Sequence, residues 1–291
     1  MTQAPHIQPF FDEATFTITW LVGDPATREA VVIDPVLDFD PASGRISTAS
    51  ADAVLAAARE GGWRIAMVLE THAHADHLSA AQWIKAQTGA QIGIGNRIGE
   101  VQAVFRPMFG IDDLKPEGGD FDRLFADGER FLVGELEFEV LATPGHTPAD
   151  VAYKVADAVF VGDTLFMPDY GTARADFPGG DARVLYRSLR RLLALPPETR
   201  LLMCHDYKAP GRDYYAWECT VAEQRERSVQ VADGVSEEQF VAARRQRDAG
   251  LAAPRLLLPS IQVNVRAGRL PPPEASGARF LRIPLRLPEG F

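Results

Sequence analysis

The stretch Thr71-His72-Ala73-His74-Ala75-Asp76-His77 contains three histidines and one aspartate within six residues. It follows the apolar run 65–69, which is predicted to be a β-strand. In an extended segment, side chains two and four residues apart lie on one face. We therefore expect His72, His74 and Asp76 to converge on one point.

His77 needs a change of backbone direction to reach the same point. Residues 78–84 predict a helix start that would supply this change. Imidazole and carboxylate ligands together suit zinc, iron or manganese. Four ligand-type side chains directly after a strand favour a metal site over a chance cluster of histidines on a solvated loop.

The composition is that of a globular chain with enough apolar residues for a sizeable core. The chain has 291 residues, of which 46% are hydrophobic and 24% are charged. This length allows one large domain or two small ones. The net charge of -10 disfavours nucleic acid as a partner, because phosphate binding requires a basic surface.

The sequence also predicts a cytoplasmic protein that does not insert into membranes. Residues 1–9 lack a basic segment followed by an apolar one, and no apolar stretch approaches the roughly eighteen residues of a membrane span. Cys204 and Cys219 are the two cysteines, too few for a disulfide framework and compatible with a reducing compartment. A homodimer is compatible with this composition.

Strands and helices alternate in the first part of the chain. Strands are predicted over 10–22, 30–34, 65–69 and 91–95. Helices are predicted from a cap at Ser47 or Ser50 to the glycine pair 61–62, near 78–87, and over 97–105. This pattern predicts a sheet whose strand ends form a polar edge.

Residues 107–122 have no regular period and are predicted to form a surface loop that borders the site. The following segments predict hairpins over 131–140 and 151–161, a helix over 181–195 and a strand over 201–204. Ser236 and Gln239 form a capping-box pair for a helix that reaches Asp248. The triple proline 271–273 predicts an extended tail, and 279–287 a last edge segment.

Three further ligand-type residues follow apolar strands or turns, namely His146, Asp163 and His205. The ordered set is His72, His74, Asp76, His77, His146, Asp163 and His205. It resembles the signature of the metallo-β-lactamase superfamily, His-x-His-x-Asp-His followed by a later His, a bridging Asp and a last His. The resemblance implies an α+β fold, the αββα sandwich, in which two mixed β-sheets pack face to face between helices and a metal site lies at one edge.

Two branches of that superfamily are similar to this chain. The segments 143–147, Thr-Pro-Gly-His-Thr, and 162–166, Gly-Asp-Thr-Leu-Phe, resemble both glyoxalase II and the persulfide dioxygenases. The segment 174–177, Arg-Ala-Asp-Phe, resembles the dioxygenases' Arg-Thr-Asp-Phe more than glyoxalase II's Arg-Phe-Phe-Glu-Gly. Likewise 204–207, Cys-His-Asp-Tyr, resembles their Cys-His-Asp-Tyr and not Gly-His-Glu-Tyr. The similarity runs from about residue 10 to the C-terminus, except that 167–173 is longer than its counterpart in the mitochondrial-type enzymes.

The dioxygenase resemblance implies one Fe(II), held by His72, His146 and Asp163, that oxidises glutathione persulfide with O2 to sulfite and glutathione in sulfide detoxification. Arg174 would bind a glutathione carboxylate, with an ordinary surface ion pair as its alternative role. Tyr207 would donate a hydrogen bond near the metal. The remaining ligand-type residues would orient the ligands and waters around the iron: His74, Asp76, His77 and His205.

The glyoxalase II resemblance implies instead a thioester hydrolase for hydroxyacylglutathione with two zinc, iron or manganese ions. Its first ion would bind His72, His74 and His146. Its second would bind Asp76, His77 and His205, with Asp163 bridging the two. A binding module stabilised by metal is a third hypothesis, although structural zinc sites are closed and often rich in cysteine.

Two further expectations concern the second half of the chain. Strand alternation predicts that Cys204 points away from His205 and is a buried structural thiol. The superfamily resemblance implies a catalytic domain over 1–216. A helical and extended segment over 217–291 is expected to pack on that same domain.

Overall fold

The computed structural model describes residues 4–115, 118–285 and 287–288. Strands and helices are numbered along the chain. The first sheet contains β1 (His6–Asp12), β2 (Thr17–Gly23), β3 (Glu29–Ile33), β6 (Arg64–Leu69), β8 (Gln91–Gly95) and β9 (Arg123–Phe125), in that spatial order. The pairings from β1 to β3 are antiparallel, whereas those from β3 to β9 are parallel. The sheet is therefore mixed.

The second sheet is also mixed. It contains β10 (Arg130–Val133), β11 (Leu136–Ala142), β12 (Val151–Val155), β13 (Ala158–Phe160), β14 (Arg200–Leu202) and β15 (Glu218–Thr220) in spatial order. Only the β13–β14 pairing within it is parallel. Because β15 pairs with β14, residues beyond 216 are part of this sheet.

A small third sheet and seven α-helices complete the described elements. The small sheet has the order β5 (Arg45–Ser47), β4 (Val36–Asp40) and β7 (Leu78–Ser79). The helices are α1 (Ala49–Glu60), α2 (Ala81–Thr88), α3 (Ile98–Phe109), α4 (Ala182–Leu192), α5 (Val221–Arg227), α6 (Glu237–Asp248) and α7 (Leu257–Asn264). Among the described residues, none of these helices is long and apolar enough to cross a membrane.

Three apolar clusters arrange these elements in four layers. The central cluster joins the two large sheets, and Trp20 of β2 meets Phe160 of β13 at 5.6 Å between ring centroids. A second cluster packs the other face of the first sheet against α1, α2, α3 and α7. A third packs the second sheet against α4 and α6. The predicted αββα sandwich is confirmed, and burial of both faces of each sheet stabilises it.

The prediction of one strand over 10–22 was wrong, because this region is a hairpin. The Asp12 carboxylate accepts hydrogen bonds from the backbone N–H of Thr15, at 2.9 Å, and from its hydroxyl, at 2.6 Å. Phe16 adopts a positive φ of 59° at the end of the turn. This local side-chain bonding competes with a continuous strand and reverses the chain.

The helix predicted near 78–87 begins later than expected. Leu78 and Ser79 pair with β4, and the Ser79 backbone N–H donates to Asn264 Oδ1 at 2.8 Å. The helix therefore starts at Ala81. His77 is turned by a short strand and not by a helix start.

Three other boundaries and one predicted strand also differ from the predictions. The helix predicted over 97–105 continues through Pro107 to Phe109, where Gly110 in the left-handed conformation ends it. Neither predicted serine caps α1, since Ser50 donates to the Asp38 carboxylate instead. The described part of 279–287 contains no strand, and the strand predicted over 201–204 ends at Leu202.

Gly145 lies in the loop that follows β11. A substitution at Gly145 shows how tightly this loop packs against α4. Gly145 has a φ of +140°, and a Cβ atom there would overlap the backbone of Leu185 in α4. Gly145→Ala should lower the free energy of unfolding by more than about 3 kcal/mol, because backbone strain and overpacking add. Denaturant unfolding followed by circular dichroism measures this loss.

Gly128→Ala is the matched control. Gly128 has a φ of +75°, but nothing lies within 4 Å of an added Cβ. This substitution should cost only about 1–2 kcal/mol of backbone strain. Equal losses in the two variants would contradict tight packing of Gly145 against α4.

Candidate metal centre

The seven predicted ligand-type side chains meet at one edge of the sandwich. Residues 71–77 follow β6, and His146 follows β11. Asp163 lies in a single 3-10 turn, Gly162–Thr164, after β13, and His205 follows β14. Both sheets therefore contribute to the site from the ends of their strands, as in many α/β enzymes.

Asp163 lies at the centre of the group. Its Oδ2 atom is 3.9 Å from Nε2 of His72 and 3.7 Å from Nε2 of His146. Its Oδ1 atom is 3.3 Å from Nε2 of His205, which is also 3.1 Å from the Asp76 carboxylate. One carboxylate thus faces three imidazoles.

Four of the histidines are fixed in the same way, through Nδ1. Nδ1 of His72 lies 3.0 Å from the Thr71 hydroxyl oxygen, and Nδ1 of His77 lies 3.1 Å from the Leu78 carbonyl oxygen. Nδ1 of His146 lies 2.8 Å from the Arg174 carbonyl oxygen, and Nδ1 of His205 lies 3.2 Å from the Phe16 carbonyl oxygen. Carbonyl oxygens only accept, so each ring facing one carries its proton on Nδ1. Nε2 is then left as a free electron-pair donor. This is the arrangement found around metal-binding histidines.

Buried polar atoms without partners mark the same place. Among the described residues, these include Nε2 of His72, His77 and His205, Nδ1 of His74, Oδ2 of Asp76 and Oδ1 of Asp163. Leaving so many polar atoms unpaired in a protein interior is costly unless an ion satisfies them. The donor set therefore fits a metal cofactor.

The spacing of ligand atoms forms two relevant groups. His72, His146 and Asp163 have ligand atoms within 4.8 Å of one another, as do His74, Asp76 and His77. The first group matches the predicted single-iron triad. The second group contains Asp76 and His77 of the predicted second-ion set, with His74, which was predicted to bind the first ion, in place of His205.

Two acidic residues lie beneath His74. Its Nε2 atom is 3.0 Å from Asp34 Oδ1 and 3.5 Å from Glu70 Oε2. Burial opposes a charge on His74, but Asp34 and Glu70 outweigh it and hold its pKa well above the usual value. Burial raises the pKa of Glu70. Burial acts in the same direction on Asp34, but His74 and hydrogen bonds from Thr71 outweigh it and lower the Asp34 pKa.

Two buried imidazoles, those of His72 and His77, favour the neutral form. Burial, followed by the neighbouring imidazoles, lowers the pKa of His72 well below its usual value. Burial and His74 lower the pKa of His77 to about 3. Neutral imidazole is the metal-binding form, so the electrostatics of these rings suit a ligand role.

Cys204 does not point away from the site, and that prediction was wrong. Its Sγ atom lies 3.5 Å from Asp34 Oδ2, and it forms a group with the ligand atoms of His74 and His205. The alternation fails because β14 ends at Leu202, before Cys204. Cys204 is buried as expected, and burial raises the pKa of its thiol well above the usual value.

A cavity of about 340 Å³ opens above the metal centre. Its base includes Asp76, His146 and Asp163, and its aromatic wall consists of Phe16, Phe166, Tyr170 and Tyr207. Four arginines also line it, namely Arg174, Arg244, Arg247 and Arg255. The cavity therefore has an aromatic wall, a base of carboxylate and imidazole groups, and arginine side chains in the rest of its lining.

The structure brings both predicted substrate-binding residues to this cavity. The Arg174 guanidinium donates to both Asp176 oxygens, at 2.6 and 2.8 Å, and to the Ala252 carbonyl at 2.7 Å. The ring of Tyr207 stacks on His205 with 5.6 Å between centroids. Burial raises the pKa of Tyr207 well above its usual value, so its hydroxyl keeps its proton.

The segment 167–173 forms part of the cavity wall. It includes a turn closed by the hydrogen bond from the Tyr170 N–H to the Met167 carbonyl, at 2.8 Å. The Tyr170 ring lies 5.2 Å from the Tyr207 ring and 5.0 Å from the Arg247 guanidinium carbon. The segment thus places the aromatic side chain of Tyr170 in the cavity wall.

Several residues that support the site were not predicted from the sequence. Asn264 of α7 donates from Nδ2 to the carbonyls of His74 and His77, each at 2.8 Å. Glu70 could have been suspected, because it directly precedes the histidine stretch. No local pattern points to Asn264, since its contacts lie more than 180 residues away.

Comparison with known proteins agrees with this geometry. A family model described as the metallo-beta-lactamase superfamily matches residues 14–205. A probable metallo-hydrolase of Burkholderia pseudomallei is 51% identical over 96% of this chain and 98% of its own length. Glyoxylase B2 of Dictyostelium discoideum is 42% identical over 98% of each chain.

Two further relatives carry the name ETHE1. The human mitochondrial persulfide dioxygenase ETHE1 is 32% identical over 69% of this chain and 68% of its own length. The crystal structure of ETHE1 from Myxococcus xanthus superimposes with a TM-score of 0.73, at 31% identity, over 91% of this chain and all of that one. With the fold, the ordered ligand set and the family match in agreement, this chain belongs to the metallo-β-lactamase superfamily.

Proposed function

We propose that this protein is a persulfide dioxygenase that uses one Fe(II) to oxidise glutathione persulfide to sulfite and glutathione. His72, His146 and Asp163 would hold the iron as two histidines and one carboxylate on one side. His74, Asp76, His77 and His205 would surround it and orient ligands and waters. The two free, buried cysteines fit a cytoplasmic setting for this reaction.

The observation that carries the proposal is the position of the segment 174–177. Its Arg174 carbonyl accepts the Nδ1 proton of His146 at 2.8 Å, and its Phe177 ring lies 5.7 Å from the His146 ring. This is the segment that resembles the dioxygenases and differs from glyoxalase II. The likeness to the human persulfide dioxygenase and to the M. xanthus ETHE1 structure supports the same interpretation.

The shape and charge of the cavity suit a glutathione-type persulfide. Glutathione carries two carboxylates, and guanidinium groups are well matched to bind them. Arg247 and Arg255 are exposed at the cavity, while Arg174 is paired with Asp176. We infer that Arg247 and Arg255 contribute to carboxylate binding together with Arg174.

When bound, Fe(II) supplies coordination positions at which the persulfide sulfur and dioxygen can meet. The chain positions the reactants around it. The aromatic wall excludes water from the persulfide, and the Tyr207 hydroxyl, which keeps its proton, can donate a hydrogen bond to the reacting sulfur or oxygen. Dioxygen and one water convert the terminal sulfur to sulfite, and the thiol leaves with release of two protons.

A hydrolase with two metal ions is the second candidate, because all seven ligands converge and a 51% identical relative is named a metallo-hydrolase. In that case His74, Asp76, His77 and His205 would bind metal directly. The two candidates predict different reactions and different metal contents.

Substrate assays distinguish the two reactions. The iron-loaded protein should consume oxygen when glutathione persulfide is added and release sulfite, as measured with an oxygen electrode and a sulfite assay. It should not hydrolyse S-lactoylglutathione at a comparable rate. Hydrolysis of the thioester without oxygen uptake on the persulfide would overturn the dioxygenase proposal.

Iron content tests the ligand set. His72→Ala and Asp163→Ala should each reduce iron from about one ion per chain to background, because each removes one of three ligands. Metal analysis of the purified protein measures this, and circular dichroism checks the fold. His6→Ala is the control, since His6 is exposed and lies outside the ligand set. Full iron binding by either ligand variant would contradict the assignment.

Arg174→Ala tests the role of its guanidinium. If Arg174 binds a carboxylate, KM for glutathione persulfide should rise about 10-fold with kcat within about 2-fold. Asp176→Asn removes the ion-pair partner and keeps the arginine, so its KM should change little. An unchanged KM in Arg174→Ala, or an equal change in both variants, would assign Arg174 a structural role.

A further inference from the structure

One peptide group links His146 to helix α6. The carbonyl of Arg174 accepts the Nδ1 proton of His146 at 2.8 Å. The N–H of Ala175, which belongs to the same peptide group, donates to Asp248 Oδ2 at 3.0 Å. A continuous hydrogen-bonded path therefore runs from the imidazole through the peptide to a carboxylate.

Arg244 holds that carboxylate in place. Asp248 Oδ1 lies 2.9 Å from Nε and 2.6 Å from Nη2 of the Arg244 guanidinium. The other oxygen, Oδ2, is therefore available to the peptide N–H. Arg244 also donates to the Thr172 carbonyl at 3.0 Å. Both residues are buried, with 2% and 6% of their surface exposed. Arg244 and Asp248 thus hold the segment 172–175 through two hydrogen bonds, one at the Thr172 carbonyl and one at the Ala175 N–H.

We propose that Asp248, fixed by Arg244, is a positioning residue that orients His146 and strengthens it as a metal ligand through the peptide group between Arg174 and Ala175. A negative charge on the N–H side of a peptide polarises its carbonyl, and a stronger acceptor makes the imidazole a better donor at Nε2. Many metal-binding histidines contact a carboxylate directly, whereas here the peptide stands between them. The inference rests on the proposed role of His146 as a ligand.

Stability alone is a poor explanation for this pair. Burying two charges carries a desolvation cost that their attraction often fails to recover, and apolar residues would fill the same space at least as well. A role for the charge of Asp248 at the peptide accounts for its position.

The test is cobalt affinity of the metal-free full-length protein, measured by competition with a chelator and by the visible spectrum of bound Co(II). Asp248→Asn keeps the size of the side chain and removes its charge. We expect its Co(II) affinity to fall about 10-fold, near the lower limit for direct partners of metal ligands, with a shift in the visible bands. Arg244→Lys should reduce the Co(II) affinity less, since a lysine keeps the positive charge but cannot contact both Asp248 and the Thr172 carbonyl as the guanidinium does.

Ser236→Ala is the matched control, because it weakens the cap of the same helix and leaves the pair intact. It should lower thermal stability without changing Co(II) affinity. If Asp248→Asn binds Co(II) as tightly as the unmodified protein, or if Ser236→Ala lowers the affinity equally, the pair merely stabilises the helix and the inference is overturned.

His146→Ala separates this inference from the proposed function. A large loss of affinity in His146→Ala with none in Asp248→Asn would overturn only the positioning role. Unchanged affinity in His146→Ala would overturn both the iron triad and the inference. A large loss in His146→Ala and a moderate one in Asp248→Asn would support both the role of His146 as a metal ligand and the positioning role of Asp248.

Discussion

The site depends on one buried carboxylate, Asp34, at the end of β3. It accepts hydrogen bonds from the Thr71 backbone at 2.7 Å, from the Thr71 hydroxyl at 2.8 Å and from His74 at 3.0 Å. Its backbone has a positive φ of 51°, an unfavourable conformation that these contacts must hold. Because Thr71 donates its hydroxyl proton to Asp34, its oxygen is free to accept from His72. The start of the histidine stretch is thus fixed from the neighbouring strand.

Rigidity of the ligand set follows from where the Nδ1 protons go. The acceptors of His72 and His77 belong to residues next to them in the sequence, whereas those of His146 and His205 are the carbonyls of Arg174 and Phe16, which are distant in the sequence. Two rings are therefore fixed by local structure and two by tertiary structure. The Nε2 atoms are oriented before any ion binds, and this lowers the entropic cost of assembling the site.

The sequence was sufficient to predict the sandwich, through the family resemblance of its ordered ligand-type residues, and to predict that these side chains lie together, because apolar runs with ligand-type residues at their ends are local patterns. It failed where side chains reached across the fold. The strand predicted over 10–22 is a hairpin, because the Asp12 side chain stabilises a turn. Cys204 lies beyond the end of β14, and its side chain contacts Asp34. Asp248 and Asn264 bond to loop residues that are 73 and 190 positions away in the sequence. No local periodicity in the sequence predicts such contacts. The number of ligand-type residues does not distinguish a site for one metal ion from a site for two, since both use the same side chains.

The family model ends at residue 205, yet side chains C-terminal to that residue complete the site. Asn264 of α7 holds the carbonyls of His74 and His77, and Asp248 of α6 holds the peptide that faces His146. The segment between these helices lines the cavity with Leu251, Arg255 and their neighbours. One C-terminal region therefore both contacts the histidine stretch and the segment 172–175 and shapes the cavity above them. Any change in this region that reshapes the cavity must also preserve its contacts with the histidine stretch and with the segment 172–175, so the shape of the cavity and the geometry of the candidate metal centre are physically coupled.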